Sequence, residues 1–149
     1  MAGNYDRNNP WNRDDDQSVL EIYDMETGVR TTAAEFDFLI EAPNWTPDGK
    51  SLIFNGGGRI HRFDLDTGAV ETIDTGFACH CNNDHVLSAD GTMLAVSHHS
   101  REDGQSRIYT LPVTGGEPRL ITPARTQLPA RLESRRPNPR LLRRTRRRI

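Results

Sequence analysis

The stretch Ala42–Phe54, A-P-N-W-T-P-D-G-K-S-L-I-F, predicts a tight turn that leads directly into a strand. Pro47 fixes its own φ angle, Asp48 can bond the backbone that follows it, and Gly49 tolerates a positive φ angle. Ser51–Phe54 then has the apolar residues of a short buried strand. We therefore expect a structural turn that places this strand inside a β-sheet.

A second copy of this pattern occurs in Val86–Val96, V-L-S-A-D-G-T-M-L-A-V. Asp90-Gly91 follows Asp48-Gly49 by 42 residues, a spacing typical of one blade of a β-propeller. Ala89 stands where the first copy has a proline, so the second turn is less rigid. Trp45 precedes the first turn, and we expect it to be a core anchor wedged between two sheets.

The rest of the first 123 residues has short strand patterns every 8–12 residues, frequent glycine turns and no helical period, which predicts an all-β fold. Among the predicted strands are Val29–Ala34 and Phe36–Ile40. Three strand–turn units align: E-I-Y-D-M-E-T-G, H-R-F-D-L-D-T-G and I-Y-T-L-P-V-T-G-G. Repeats of about forty residues with four strands each predict an incomplete β-propeller, with about two four-stranded blades and part of another.

The string W-T-P-D-G-K-S-L-I-F, followed by R-F-D-L-D-T-G, resembles the TolB-like propeller repeats, which are relatives of the WD-type repeats. The string H-C-N-N-D-H-V-L-S-A-D-G is similar to the opening of a blade in the same group. The resemblance covers roughly Gln17–Pro123, and we assign residues 18–123 to the repeats. It implies the fold but not one function, because propellers support many functions.

The two ends of the chain differ from the repeats. Residues 1–17 are polar, and we expect a lead-in segment there. Residues 124–149 contain ten Arg and one Glu, whereas the first 123 residues contain nine Lys and Arg against twenty Asp and Glu. A basic tail can bind nucleic acid, but this one lacks interleaved aromatic residues. We expect a disordered tail and no nucleic-acid partner.

A frameshifted terminus is a third explanation of the basic tail. Codons can be chosen for Gln127–Ile149 so that the adjacent reading frame encodes S-Y-L-H-G-W-S-P-D-G-Q-T-L-A-Y-C-G-E-R-G-G-A-Y. That string contains another W-S-P-D-G turn, and its Asp falls at Arg135–Arg136, about 45 residues after Asp90. We therefore predict that residues 124–149 are the product of a shifted frame.

Composition limits the cellular setting. The chain has 149 residues, of which 34% are hydrophobic and 27% charged, and no apolar run is long enough to span a bilayer. No secretory signal is visible at the N-terminus. Cys79 and Cys81 are too close in sequence to staple a fold. These features predict a cytoplasmic protein without a membrane association.

The densest cluster of polar side chains is Cys79–His85, C-H-C-N-N-D-H. His80 and His85, with Cys81 or Asp84, could hold a divalent metal or an acidic sugar near one mouth of the propeller channel. The spacing matches no common zinc motif, so other blades would have to supply ligands. The alternative is a loop in which the Asn and Asp side chains cap the turn backbone.

Two further histidine sites are predicted to be ordinary surface positions. His98-His99 fall in a polar hairpin loop, where we expect them to be solvated, and His61 is expected on the surface of a strand.

Two classes of function remain open. The TolB-like resemblance implies a non-catalytic binding scaffold for a protein or peptide partner, without a cofactor. The alternative is a truncated propeller enzyme, similar to the oligogalacturonate lyases, with a His metal site at the channel mouth. Both readings leave too few blades to close a ring, and Leu52/Phe54 and Leu94/Val96 are therefore expected on unpaired sheet faces. Such a chain should be oligomeric, aggregation-prone or partly folded.

Overall fold

The computed structural model describes residues 17–122, which form three antiparallel β-sheets. The strands are β1 (Ser18–Tyr23), β2 (Arg30–Phe36), β3 (Ile40–Trp45), β4 (Ser51–Gly56), β5 (Arg59–Asp64), β6 (Val70–Thr72), β7 (Cys81–Leu87), β8 (Met93–His99), β9 (Ser106–Pro112) and β10 (Arg119–Leu120). Within this range no helix is long and apolar enough to cross a membrane. The predictions for the N-terminal lead-in (to residue 16) and for the basic tail lie outside the described residues.

The sheets are consecutive meanders. β1 and β2 form a two-stranded sheet, here called the half-blade. β3–β6 form the first blade, and β7–β10 form the second blade. The predicted all-β architecture, with two four-stranded blades and part of another, is confirmed.

The two D-G turns have the same hydrogen bonds. In the first blade the Thr46 hydroxyl donates to Asp48 Oδ1 at 2.6 Å and accepts from the Ser51 amide at 3.0 Å. In the second blade Ser88 makes the same two bonds, to Asp90 Oδ1 at 2.6 Å and from the Met93 amide at 3.0 Å. The bond from the Ser88 hydroxyl, together with bonds from the Thr92 amide and hydroxyl, lowers the pKa of Asp90 to about 2. The hydroxyl before each turn is therefore as much part of the repeat as the Asp-Gly pair.

The half-blade corresponds to the outer half of a complete blade. Asp24 and Asp64 each accept a bond from the amide of a Thr three residues later, at 2.8 Å in both turns. Gly28 and Gly68 follow with φ angles of 72° and 69°. β1–β2 therefore match β5–β6, and the described half-blade has no counterpart of β3–β4.

Strand β4 is buried on both faces because it lies between two neighbouring sheets. Ile53 faces the second blade and joins a cluster with Leu94 and Val96. Leu52 and Phe54 face the half-blade and join a separate cluster. The expectation of unpaired faces at Leu52/Phe54 and Leu94/Val96 is wrong, because all four side chains are buried between sheets.

The blades converge at their first strands. β3 contacts β7, and β4 also contacts β7, whereas no comparable contact joins the fourth strands β6 and β10. Sheets that approach at one edge and spread at the other are arranged like the blades of a propeller, so β3 and β7 line its central channel.

The prediction that Trp45 is a core anchor is wrong, because its side chain is 51% exposed. Trp45 pairs with Leu52 and so faces the half-blade side of the first blade. Its counterpart in the second blade, Leu87, packs on the apolar cluster because a complete blade lies opposite. The half-blade supplies only two strands, which do not extend over Trp45.

Two local predictions also need correction. Phe36–Ile40 is not a strand: β2 ends at Phe36, a bend follows, and β3 begins at Ile40. Cys81–His85 is not a loop but the first part of strand β7. Asn and Asp are depleted in strands, which is why the sequence favoured a loop there.

Candidate binding site on the inner strands

Both inner strands carry a β-bulge near the same end of the channel. In β3 the register shifts between Glu41 and Asn44, and Ala42 has a φ angle of 52°. In β7 the register shifts between Cys81 and His85. Bulges re-aim side chains and occur often beside functional sites, and a non-glycine residue at positive φ costs about 1–2 kcal/mol. The two bulges are therefore the candidate functional region of the channel.

His85 is the link between the two inner strands. Its Nε2 lies 3.2 Å from the Asn44 side-chain nitrogen and 3.3 Å from the Ile53 carbonyl oxygen. The same Asn44 nitrogen donates to the Ala42 carbonyl at 2.9 Å, which holds the neighbouring bulge. Burial lowers the pKa of His85, so the ring is neutral at pH 7. Nε2 could act as the predicted ligand atom only by leaving these neighbours, and the other ring nitrogen, Nδ1, is buried.

Asn83 and Asp84 are the exposed residues of the β7 bulge. The Asn82 side chain accepts a bond from the Asp84 amide at 3.0 Å and donates to Asp84 Oδ2 at 3.3 Å. These bonds are the Asx type that the alternative sequence interpretation predicts. They hold the Asp84 carboxylate and the Asn82 amide in fixed positions in the bulge.

Cys81 is a packing residue. Its thiol is buried and donates to the Ala78 carbonyl at 3.1 Å. Burial raises the pKa of Cys81 to about 12, so its side chain is a protonated thiol near neutral pH. Its backbone joins the blades, because its carbonyl accepts a bond from Asn55 at 3.0 Å and its amide donates to Gly58 at 3.0 Å.

His80 lies in the crossover between the blades and stacks on His98, with ring centroids 6.0 Å apart and planes at 14°. The His80 amide donates to His98 Nδ1 at 3.2 Å. Phe77 and Tyr109 pack against the His98 ring edge-on. The expectation that His98 is solvated is wrong, because β8 continues through His99 and buries the His98 ring under the crossover.

His61 is also buried rather than on the surface. Its Nε2 is 3.0 Å from the Gly56 carbonyl, and its Nδ1 is 3.1 Å from the Thr72 hydroxyl. The ring stacks on Phe54 at 5.3 Å. His61 is the cross-strand partner of Phe54, and its ring also contacts Phe38 in the bend between β2 and β3.

The candidate ligands do not form one coordination shell. Among residues 17–122, no group of three or more His, Cys, Asp or Glu side chains is arranged to hold a metal. His80 packs on His98 and His85 packs on Asn44, so each has its own partner. A metal site would need donors from outside the described residues, and the metal stays a prediction.

Sequence reasoning did not single out Asn44 and Asn55, which connect the blades. Both are polar residues next to apolar strand positions, in P-N-W and F-N-G. Asn is depleted in strands unless its amide has a specific partner. That rarity is the signal by which they could have been found.

The converging sheets and bulged inner strands define the class of protein: an incomplete β-propeller. Comparisons with known proteins then specify its type. A solved structure from Agrobacterium tumefaciens with a TolB designation shares 45% identity with this chain and has a TM-score of 0.67. The predicted TolB-like propeller repeats are thereby confirmed.

The similarity is partial in both directions. The Agrobacterium structure covers 72% of this chain, and this chain covers 38% of that structure. The protein Atu1656 of Agrobacterium fabrum is 46% identical over 107 residues, which are 71% of this chain and 36% of that protein. No family model matches the chain. The chain therefore spans little more than a third of the length of the relatives it matches.

Proposed function

We propose that this chain is part of a non-catalytic binding module, a TolB-like propeller that holds a protein or peptide segment at the mouth of its channel. The observation that carries the proposal is that some polar side chains on β7 are buried and others are exposed. His85 is buried between blades, whereas Asn83 and Asp84 are exposed in the bulge of β7, the innermost strand of the second blade.

The side chains of Asn83 and Asp84 are suited to binding a peptide without a catalysed reaction. A peptide backbone offers N–H donors to the Asp84 carboxylate and both donors and acceptors to the Asn83 amide. The internal bonds of the bulge hold Asp84 in place before a ligand arrives, which reduces the entropy lost on binding. The buried thiol of Cys81 supplies no nucleophile, since burial raises its pKa to about 12.

A displayed library of random peptides, selected against the immobilised chain, tests the proposal. The selected peptides should bind the wild type and a Glu102→Ala control, in which an exposed loop residue is changed. They should lose at least about tenfold in affinity for an Asn83→Ala/Asp84→Ala variant. Peptides that bind all three proteins equally would refute a site on the β7 bulge.

The comparisons do not favour the enzyme alternative of an oligogalacturonate-lyase-like propeller. It can be tested by titrating Mn²⁺ or Zn²⁺ into the chain by calorimetry, with His85→Ala alongside. Binding that the substitution weakens by about tenfold or more would favour the metal site over the scaffold. On the scaffold proposal the two proteins give the same titration.

The frameshift account of residues 124–149 and a cytoplasmic location are further parts of the proposal. Sequencing the coding DNA around codons 123–127 tests the frameshift. A single-base insertion or deletion, with W-S-P-D-G encoded downstream in the adjacent frame, is the expected result. Codons that do not encode that string in the adjacent frame would contradict it, and the basic tail would then need its own function.

A further inference from the structure

The β7 bulge is tied to the first blade at both of its ends. β7 pairs with β8 at Cys81 and again from His85, and residues 82–84 between them form the bulge. At one end, the Cys81 carbonyl accepts a bond from the Asn55 side chain at 3.0 Å. At the other end, the Asn44 side-chain nitrogen lies 3.2 Å from His85 Nε2 and donates to the His85 carbonyl at 3.4 Å. Two asparagines of the first blade therefore hold a bulge that belongs to the second blade.

Each of these asparagines is fixed by its own sheet. The Asn44 side chain also donates to the Ala42 carbonyl at 2.9 Å, beside the positive φ angle of the β3 bulge. Asn55 is buried in β4, where it pairs with Ile60 of β5. A buried amide that loses its partner is costly, so each side chain favours one position. The first blade thus determines where the two ends of the β7 bulge lie.

The internal repeat shows that these ties are not a general feature of the blades. Asn44 lies four residues before the Asp of its Asp-Gly turn, and Asn55 lies seven residues after it. The same positions of the second blade hold Val86, which is exposed, and Ser97, whose hydroxyl is 2.7 Å from the Ser106 hydroxyl within its own sheet. The two side-chain amides are therefore particular to the contact with the β7 bulge.

We propose that Asn44 and Asn55 are positioning residues of the peptide site, which hold the β7 bulge so that Asn83 and Asp84 have their binding orientation before a peptide arrives. The inference rests on the proposed binding function and adds the first blade to it. Neither asparagine contacts the peptide, and each acts through the backbone at one end of the bulge. A preset bulge loses less conformational entropy on binding, so loosening either end weakens the affinity.

The test uses the peptides selected against the wild type, titrated by calorimetry into the full chain with Asn44→Ala or Asn55→Ala. Each substitution should weaken binding by about threefold or more. In the Asn83→Ala/Asp84→Ala background neither should weaken it further, because the positioned side chains are absent. Phe54→Leu is the matched control, since it disturbs a buried contact on the half-blade side of β4, and it should leave the affinity unchanged.

A spectroscopic measurement separates positioning from a general loss of stability. In ¹H–¹⁵N spectra, the amide signals of Asn83 and Asp84 should move in Asn44→Ala and Asn55→Ala and stay in place in Phe54→Leu. The wild type needs no variant: ¹⁵N relaxation should give these two amides order parameters of about 0.85, as for a rigid strand. Values below about 0.6 would overturn the preset bulge, whether or not the variants fold.

The outcomes distinguish the positioning role from the peptide site itself. Peptides that depend on Asn83 and Asp84 but bind either the Asn44→Ala or the Asn55→Ala chain as tightly as the wild type would overturn the positioning role and leave the peptide site intact. An equal loss in Phe54→Leu would also overturn it, because the effect would then follow stability. A selection that yields no peptide dependent on Asn83 and Asp84 refutes the peptide site, and the positioning role with it.

Discussion

Gly91→Ala is the substitution that tests most sharply how the two blades pack at their turns. Gly91 has a φ angle of 70°, and a Cβ added there would lie 2.8 Å from Pro47 Cδ and 2.9 Å from Pro47 Cγ. Gly49, the equivalent glycine of the first blade, has a φ angle of 68° and no atom within 4 Å of such a Cβ. An alanine would therefore have the same backbone strain at both positions, but only at Gly91 would it also collide with a residue of the neighbouring blade.

The expected costs follow from this difference. An alanine at positive φ costs about 1–2 kcal/mol at either position. At Gly91 the proline ring is held in its own turn and cannot swing away, so overpacking adds about 1–3 kcal/mol. We expect Gly49→Ala to lower the free energy of unfolding by about 1–2 kcal/mol and Gly91→Ala by about 2–5 kcal/mol.

Urea unfolding followed by far-UV circular dichroism measures both values, provided that the variants share one m-value. Pro47→Ala shortens the contacting side chain, so in that background Gly91→Ala should cost no more than Gly49→Ala. Equal costs for Gly91→Ala and Gly49→Ala in the wild-type background would refute the contact between the turns.

Three other substitutions test the contacts of buried side chains, and a fourth, Val86→Ala, is an exposed control. Phe54→Leu removes ring contacts to Phe36 and His61, at centroid distances of 5.2 and 5.3 Å. It should lower the free energy of unfolding by about 1–3 kcal/mol. Val86 is 57% exposed, so Val86→Ala should change the free energy of unfolding by less than about 0.5 kcal/mol. Asn55→Ala leaves the Cys81 carbonyl without its donor and should cost about 1–3 kcal/mol by urea unfolding, and a cost below about 0.5 kcal/mol would contradict the bond. Burial lowers the pKa of His61, so the folded state holds its proton less tightly than the unfolded state, and stability should fall as the pH drops below about 6.5. Comparison of pH 7.5 with pH 5.5 should show a shallower loss for His61→Gln; equal losses would mean that His61 does not titrate as a buried group.

The sequence predicted the repeat correctly because its signals are local. Asp48-Gly49 and Asp90-Gly91 form turns through bonds to residues within five positions, and such bonds leave a readable motif. The spacing of the two motifs then predicted the length of the repeat, which is that of a four-stranded blade. Their resemblance to TolB-like repeats could be seen for the same reason.

The burial of the histidines could not be predicted because it depends on which sheet lies opposite. His61 packs against Phe38 in the bend between β2 and β3, and His98 packs against Phe77 in the crossover between the blades, so both contacts join segments distant in sequence. The prediction for Trp45 was wrong in the opposite sense: it was expected to be buried but is exposed, because the half-blade has no counterpart of the strands that would cover it. A pattern of period two identifies the faces of a strand but not the partner of each face.

The central claim is that both faces of β4 are buried, one by the half-blade and one by the second blade. Solution NMR of the isotopically labelled chain tests it directly through nuclear Overhauser effects. The account predicts cross-peaks between the Phe36 and Phe54 rings, whose centroids are 5.2 Å apart, and between the Asn55 side-chain amide and the backbone around Cys81, joined by a 3.0 Å hydrogen bond. A folded spectrum that lacks either set would contradict the packing of three sheets in sequence order.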